Sequence, residues 1–151
     1  MRRLHRFGYV MLGELATTRL FYVLHRAIYR VSGGRIFSRS LGCPVVLLTT
    51  TGRRSGEPRT APIFGFKEGQ SIVVMPSNAG KKPYPSWYLN LRANPHAQVQ
   101  LGPEIWKVRA REATSEERDR LWLRLASQYR GYDVYRERTD RHIPVLILDP
   151  V

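Results

Sequence analysis

Three segments of the 151-residue chain carry residue types and spacings that could do chemistry. The first is Gly52-Arg53-Arg54-Ser55-Gly56, followed by Arg59. Two glycines permit a sharp turn and close approach of a ligand, and backbone amides beside three guanidiniums suit a phosphate or carboxylate. The turn is not a P-loop: its second glycine comes too early and no Gly-Lys-Ser/Thr follows, so a solvated turn is the plain alternative. The second segment is Ser77-Asn78-Ala79-Gly80-Lys81-Lys82, which leads through Pro83-Tyr84-Pro85 into Ser86-Trp87-Tyr88-Leu89-Asn90. A helix starting there would aim its first amides at an anionic or carbonyl oxygen, whereas Trp87 could equally anchor a core. The third is Tyr129, Tyr132 and Tyr135, spaced to lie along one side of a helix. They read either as core packing or as a wall over a flat aromatic ligand, with phenols able to donate hydrogen bonds or protons.

Other chemistries fit poorly. Ser55 sits fourth in its five-residue Gly-to-Gly segment, which is not the Gly-x-Ser-x-Gly elbow of a nucleophilic hydrolase. Cys43 precedes Pro44 with no histidine nearby and reads as a core thiol. His5, His25, His96 and His142 are scattered without ligand spacing, so no metal site is expected. A single cysteine excludes an internal disulfide framework and points to a reducing, cytoplasmic setting. No secretory signal follows Met1, and no apolar run approaches the roughly 18 residues of a spanning helix.

The elements that must position these residues follow from periodicity. Leu4, Phe7, Met11, Leu12 and Leu15 repeat at helical spacing, as do Leu20, Phe21, Val23, Leu24, Ala27, Ile28 and Val31, with Thr17 or Thr18 as a cap between them. Gly33-Gly34 ends the second helix. Its apolar side reads either as packed on the core, leaving a solvated arginine face, or as a membrane-surface stripe. Pro44–Thr51, Arg59–Phe66, Ser71–Met75, Ala97–Leu101, Glu104–Arg111 and Val145–Leu148 read as strands, with Pro58 and Pro62 limiting the pairing of the second. Pro85–Ala93 reads as a short helix. Thr114 to Glu117 has capping-box spacing ahead of Leu121, Trp122 and Leu125, and Tyr129–Arg138 reads as a further helical segment. Short strands with helices at the ends and one in the middle suggest a small barrel rather than a βαβ sheet.

Charge adds a direction. The chain has 25 Lys plus Arg against 12 Asp plus Glu, net +13. Residues 1–40 hold eight Arg and one Glu, net +7; residues 41–110 hold nine basic and three acidic residues, net +6; the remainder is neutral. A polyanionic ligand, an anionic membrane or a nucleic acid could each use such a field. Nucleic acid is disfavoured, because the basic residues are not interleaved with aromatics in one segment and no DNA or RNA motif occurs.

Leu47-Leu48-Thr49-Thr50-Thr51-Gly52-Arg53-Arg54-Ser55-Gly56-Glu57-Pro58-Arg59, then Trp87-Tyr88-Leu89-Asn90-Leu91-Arg92-Ala93-Asn94-Pro95, then Thr139-Asp140-Arg141-His142-Ile143-Pro144-Val145, together resemble the deazaflavin-dependent nitroreductase family of the flavin/deazaflavin oxidoreductase superfamily. The resemblance runs from about Pro44 to Pro150. It implies an α+β, mainly β, split β-barrel with N-terminal and peripheral helices: residues 41–151 as the barrel, residues 1–40 as a basic amphipathic arm. It also implies coenzyme F420, a deazaflavin with a phosphate and a polyglutamate tail, with FMN the lesser choice. By position, Gly52, Arg53, Arg54, Ser55 and Arg59 would hold phosphate and tail. Pro62, Ile63, Phe64, Met75, Pro76, Ser77, Asn78, Ser86, Trp87, Tyr88, Leu89, Asn90 and Tyr132 would line the deazaflavin. Phe64, Tyr129, Tyr132 and Tyr135 would form the substrate pocket, and Ser77 or Tyr132 would assist proton delivery. Phe64 stands where the founding nitroreductase has Tyr, and Asn78 where it has Lys; both departures bear on nitro-compound reduction rather than on cofactor binding. The implied activity is hydride transfer from reduced F420 to a quinone, an activated alkene or a nitroaromatic. A non-catalytic F420 carrier and an FMN-binding reductase are the alternatives. The expected partners are a small-molecule electron acceptor and an anionic membrane surface at the inner face of the cell membrane, met through residues 1–35, with the protein a monomer or homodimer.

Overall fold

The structure is a computed structural model and describes residues 19–36, 39–40 and 42–151; the first expected helix, Leu4 to Leu15, and its neighbouring arginines lie outside the described residues. The described elements are α1 (Arg19–Val31), β1 (Arg39–Ser40), β2 (Cys43–Thr51), β3 (Pro58–Glu68), β4 (Ser71–Val74), a 3-10 turn (Asn78–Gly80), α2 (Ser86–Ala93), β5 (His96–Leu101), β6 (Glu104–Glu112), α3 (Ser115–Gln128), α4 (Gly131–Arg138) and β7 (Leu146–Pro150). The strands run antiparallel in the order β1-β2-β3-β4-β7-β6-β5, and β2 also pairs with β5, which closes β2 to β7 into a six-stranded barrel. The strand expectations hold to within a few residues, and so do the three helices after the barrel begins.

Alternation along the strands sorts the side chains. Val46 and Leu48 of β2, Ile72 and Val74 of β4, Val99, Val108, Leu146 and Leu148 point into the barrel, where Trp87, Tyr88 and Leu91 of α2 join them. Each fully buried aliphatic side chain contributes about 1.5–3 kcal/mol, so this interior is a main source of stability. The opposite registers, Val73 and Ile147, face outward under α3 and α4 and pack with Leu121, Trp122 and Leu125. The expected capping box opens α3: Thr114 Oγ1 accepts from the Glu117 amide, and Glu117 accepts from the Thr114 amide.

Two local features shape the binding face. Pro62 sits in the middle of β3, opposite Leu47 of β2, yet β3 meets β4 only from Gly65 onward. Residues Pro58 to Phe64 therefore pair on one side only, which is how a strand accommodates a proline that cannot donate. The barrel is split at this free edge.

The second feature bears on the two readings of α1 and goes against the one that packs its aliphatic side on the core. Leu20, Val23, Leu24, Ile28 and Val31 of α1 are exposed, Leu20 by 69% and Val31 by 90%, and the face packed on the barrel is that of His25 and Tyr29. The reason is long-range hydrogen bonding. The Tyr29 hydroxyl donates to Val45 O at 3.0 Å and accepts from the Gly102 amide at 2.8 Å, bridging β2 to the β5–β6 turn. Its ring packs on Val45 and Leu47. The Tyr29 phenol thus ties one side of the helix to the barrel while the aliphatic stripe faces outward.

Candidate functional site

The Gly52–Gly56 turn is built by its own backbone. Gly52 N donates to Glu57 O at 2.8 Å and Gly56 N to Gly52 O at 2.7 Å, with Gly56 at φ 72°. A Cβ on Gly52 would lie 2.7 Å from Ser55 Oγ and 3.3 Å from Arg59 Cγ, so only glycine leaves room for that pair. Ser55 Oγ in turn accepts from Arg59 Nη2 at 3.2 Å.

Asn90 pins the turn to α2. It is buried, and its Oδ1 accepts from Arg53 N at 3.2 Å and from Arg53 Nη1 at 3.3 Å, while its Nδ2 donates to Thr50 Oγ1 at 3.0 Å. The first turn of α2, introduced by Pro85, therefore stands beside the arginine turn.

The facing wall is the segment between β4 and α2. Asn78 and Ala79 hold positive φ values of 47° and 54°, a conformation that costs a non-glycine residue on the order of 1 kcal/mol or more and persists where the surroundings enforce it. Arginines supply the enforcement. Arg141 donates to Ser77 O at 2.9 Å, Pro76 O at 3.2 Å and Lys81 O at 3.3 Å, and its guanidinium lies 4.2 Å from the centre of the Tyr84 ring. Arg138 donates to Ala79 O at 3.1 Å.

Between these walls and the free edge of β3 lies a cleft of about 1020 Å³. Of the residues expected at a cofactor site, Gly52, Arg53, Arg54, Ser55, Arg59, Asn78, Ser86, Trp87 and Asn90 line it. Val23, Arg26, Thr60, Ala61, Pro83, Tyr84 and Pro85 line it too and were not expected. Thr60 and Ala61 follow Arg59 along one strand and could have been inferred. Arg26 could not, because its direction is set by where Tyr29 anchors α1. Four guanidiniums and no carboxylate line the cleft, beside the aromatic rings of Tyr84 and Trp87. That donor set fits a ligand with an anionic end and a flat aromatic end, as F420 has. The volume is at the upper end for small-ligand sites, as an extended cofactor requires.

The remaining expected residues lie behind this surface. Pro62, Met75, Pro76 and Tyr88 are buried, and Ile63, Phe64, Ser77 and Leu89 are half-buried, none of them lining the cleft. Ser77 adjoins Asn78 through the chain. Tyr129, Tyr132 and Tyr135 are each 4% exposed and pack among Cys43, Phe66, Val73 and Met75, with the Tyr129 ring 5.2 Å from that of Phe64. Tyr129 and Tyr135 share a hydroxyl hydrogen bond of 2.8 Å. Burial pushes the Tyr132 phenol well above its ordinary value, so it stays protonated at physiological pH. Burial likewise raises the Cys43 thiol, in keeping with a core residue. Among the described residues no cluster of His, Cys, Asp and Glu could hold a metal ion.

Comparison with known proteins agrees with this geometry. A family model described as F420H(2)-dependent quinone reductase matches residues 21–150. An F420H(2)-dependent quinone reductase of Mycobacterium tuberculosis is 37% identical over 129 residues, 83% of this chain and 87% of that one. A solved F420-H2 dependent reductase is 39% identical with a TM-score of 0.65, covering 70% of this chain and 94% of its own. Another solved structure, described as a domain-swapped dimer, is 35% identical with a TM-score of 0.68, covering 84% of this chain and 96% of its own. By sequence and by fold, the chain belongs to the F420H(2)-dependent quinone reductase family.

Proposed function

We propose that the protein binds F420 in the arginine-lined cleft and reduces a quinone with it. The observation that carries this reading is the cleft itself: Arg26, Arg53, Arg54 and Arg59 without a carboxylate, next to Tyr84, Trp87 and the start of α2. Gly52, Arg53, Arg54, Ser55 and Arg59 would hold the phosphate, and Asn78, Ser86, Trp87 and Asn90 the ring system. When bound, reduced F420 supplies a hydride; a quinone that takes it together with one proton leaves as the hydroquinone. The chain's own part is to orient and to exclude water. Asn90 keeps the arginine turn beside α2, and Arg141 holds the strained Asn78–Ala79 wall in place. Of the two hydroxyls considered for proton delivery, Ser77 is the better placed, because Tyr132 lies in the packed core. Anaerobic oxidation of reduced F420 by menadione tests the reading. Quinone-dependent loss of the reduced cofactor supports it; tight binding without oxidation would favour a carrier.

The exposed stripe of α1 supports a location as well. Leu20, Leu24, Ile28 and Val31 face outward beside exposed Arg30 and Arg35, a composition suited to an anionic lipid surface where apolar quinones reside. Among the described residues no helix is long and apolar enough to cross a membrane, so contact of this kind would be peripheral. Sedimentation with anionic liposomes tests it: Leu24→Glu combined with Val31→Glu should reduce binding, and equal binding by that variant would refute it.

A further inference from the structure

Helix α2 has a second face. Ser86, Trp87 and Asn90 line the cleft, whereas Tyr88, Leu91 and Arg92 line a separate cavity of about 190 Å³, closed by Ala110, Arg111 and Glu112 of β6 and Leu146 of β7. Its floor is apolar. Leu91 and Leu146 are each 4% exposed and pack, with Ala110, in the barrel interior. Its polar groups are one phenol, two guanidiniums and one carboxylate. Arg111 is already committed: its Nε donates to Asp149 at 2.9 Å, and its Nη1 and Nη2 donate to the two oxygens of Glu117 at 2.8 and 2.9 Å.

The other three are not so engaged. Tyr88 is only 7% exposed, and its ring is fixed 4.7 Å from that of Tyr84 and edge-on to Trp87. The Tyr84 hydroxyl donates to His142 O at 2.9 Å, but the Tyr88 hydroxyl forms no hydrogen bond among the described residues. Burial pushes the Tyr88 phenol up; Glu112 and Tyr84 add to the rise, and Arg92 and Arg141 oppose it, so both uncommitted charges of the cavity reach this group. A phenol this buried calls for a partner, and the cavity is where one enters. Arg92 is exposed and makes no hydrogen bond or ion pair among the described residues. Glu112 meets only His142 Nε2, at 3.4 Å, with both side chains more than half exposed. Arg92 and Glu112 therefore border one small cavity with opposite charges and do not pair with each other. An anion alone would face Glu112, and a cation alone would face Arg92. A molecule carrying both charges meets each with its opposite. The volume equals that of about six waters, so the occupant is small.

We propose that this cavity is a second ligand site, for a small amino-acid-like zwitterion: its carboxylate on Arg92 and the Tyr88 hydroxyl, its ammonium on Glu112, and a short aliphatic side chain on Leu91, Ala110 and Leu146. The proposal stands apart from the F420 reading, since the two sites have only α2 in common.

Three matched compounds test it by nuclear magnetic resonance titration of the full chain: L-valine, isovalerate, which is valine without its ammonium, and isobutylamine, which is valine without its carboxylate. Valine should saturate with a dissociation constant on the order of millimolar, as suits so small a ligand, and should move the amide resonances of residues 88–92 and 110–112. Each half-compound should bind about 5-fold more weakly or worse. Arg92→Gln should lower valine affinity about 3- to 30-fold, the range of one charge-assisted contact, while isobutylamine binds as before. Glu112→Gln should lower valine affinity by a similar factor without weakening isovalerate. Both side chains are exposed, so thermal midpoints close to wild type should show that these losses are not losses of fold. Tyr88→Phe, which keeps the packed ring and removes the hydroxyl alone, should weaken valine and isovalerate but not isobutylamine. No saturation by valine up to about 50 mM would overturn the proposal. So would isovalerate binding as tightly as valine, which would make the cavity a plain anion site, or valine affinity unchanged in Arg92→Gln and Glu112→Gln.

Discussion

Replacing Asn90 with Ala probes the join between fold and site. The substitution removes three hydrogen bonds: one to Thr50 within the core, and two from the Arg53 amide and guanidinium. A buried neutral bond contributes about 1 kcal/mol, and the two bonds to exposed Arg53 contribute less than their buried counterparts because water replaces them. The sum is about 2–3 kcal/mol, which in a domain of this size lowers the thermal midpoint by about 4–12 °C. F420 affinity should fall as well, because the turn loses its tie to α2. Asn90→Asp separates the two effects. A carboxylate keeps the acceptor for Arg53, so stability should recover in part. It also places a negative charge in a cleft lined by arginines. At an effective dielectric near 20, a negative charge added to the wall of a site that holds an anion costs on the order of 1–2 kcal/mol, roughly tenfold in affinity. Differential scanning fluorimetry and F420 titration of both variants provide the readings. If Asn90→Ala left both midpoint and affinity at wild-type values, the pin would not be what positions the turn.

Tyr29→Phe should free α1 from the barrel, leaving Val45 O and the Gly102 amide without their bridge at a cost of about 1–3 kcal/mol; hydrogen exchange over residues 19–36 should accelerate more than exchange in the barrel, and uniform exchange would contradict it. Gly80→Ala should destabilise by about 1–3 kcal/mol, because Gly80 has φ 73° and an added Cβ would lie 2.9 Å from Tyr135 O; a thermal midpoint equal to wild type would refute this. Bonds from Arg111 and from the Thr114 amide hold the Glu117 carboxyl down at about 2. The unfolded chain therefore takes up that proton first, so the stabilisation is complete above about pH 4.5 and is lost as pH falls through about 2. The gap in midpoint between wild type and Glu117→Gln should accordingly close between those values, and a gap independent of pH would contradict the ion pair.

Much of the barrel was legible because its signals are local. Val45 to Leu48 is buried on both faces, so it reads as a continuous apolar run; the capping box reads from Thr114 and Glu117 alone; the arginine turn reads from two glycines and the residues between them. What was not legible depends on contacts between distant residues. The aliphatic stripe of α1 left open whether it is packed or faces outward, because the Tyr29 hydroxyl that seats the opposite side is bonded to residues 16 and 73 positions away. That same seating brought Arg26 into the cleft. The role of Arg141 was hidden for a similar reason, since nothing local shows that its guanidinium reaches carbonyls 60 to 65 residues earlier. The three tyrosines left two readings open from spacing alone; in the structure all three are buried, Tyr132 and Tyr135 on α4 and Tyr129 just ahead of it, packed with Phe66, Val73 and Met75.

The central claim is that the arginine-lined cleft is an F420 site, and parallel fluorescence titrations with F420 and FMN test it most directly. F420 should bind, FMN should bind more weakly, and Arg54→Ala should weaken F420 binding by about 1–3 kcal/mol without changing the thermal midpoint. Micromolar binding of FMN with no response to F420 would contradict the account.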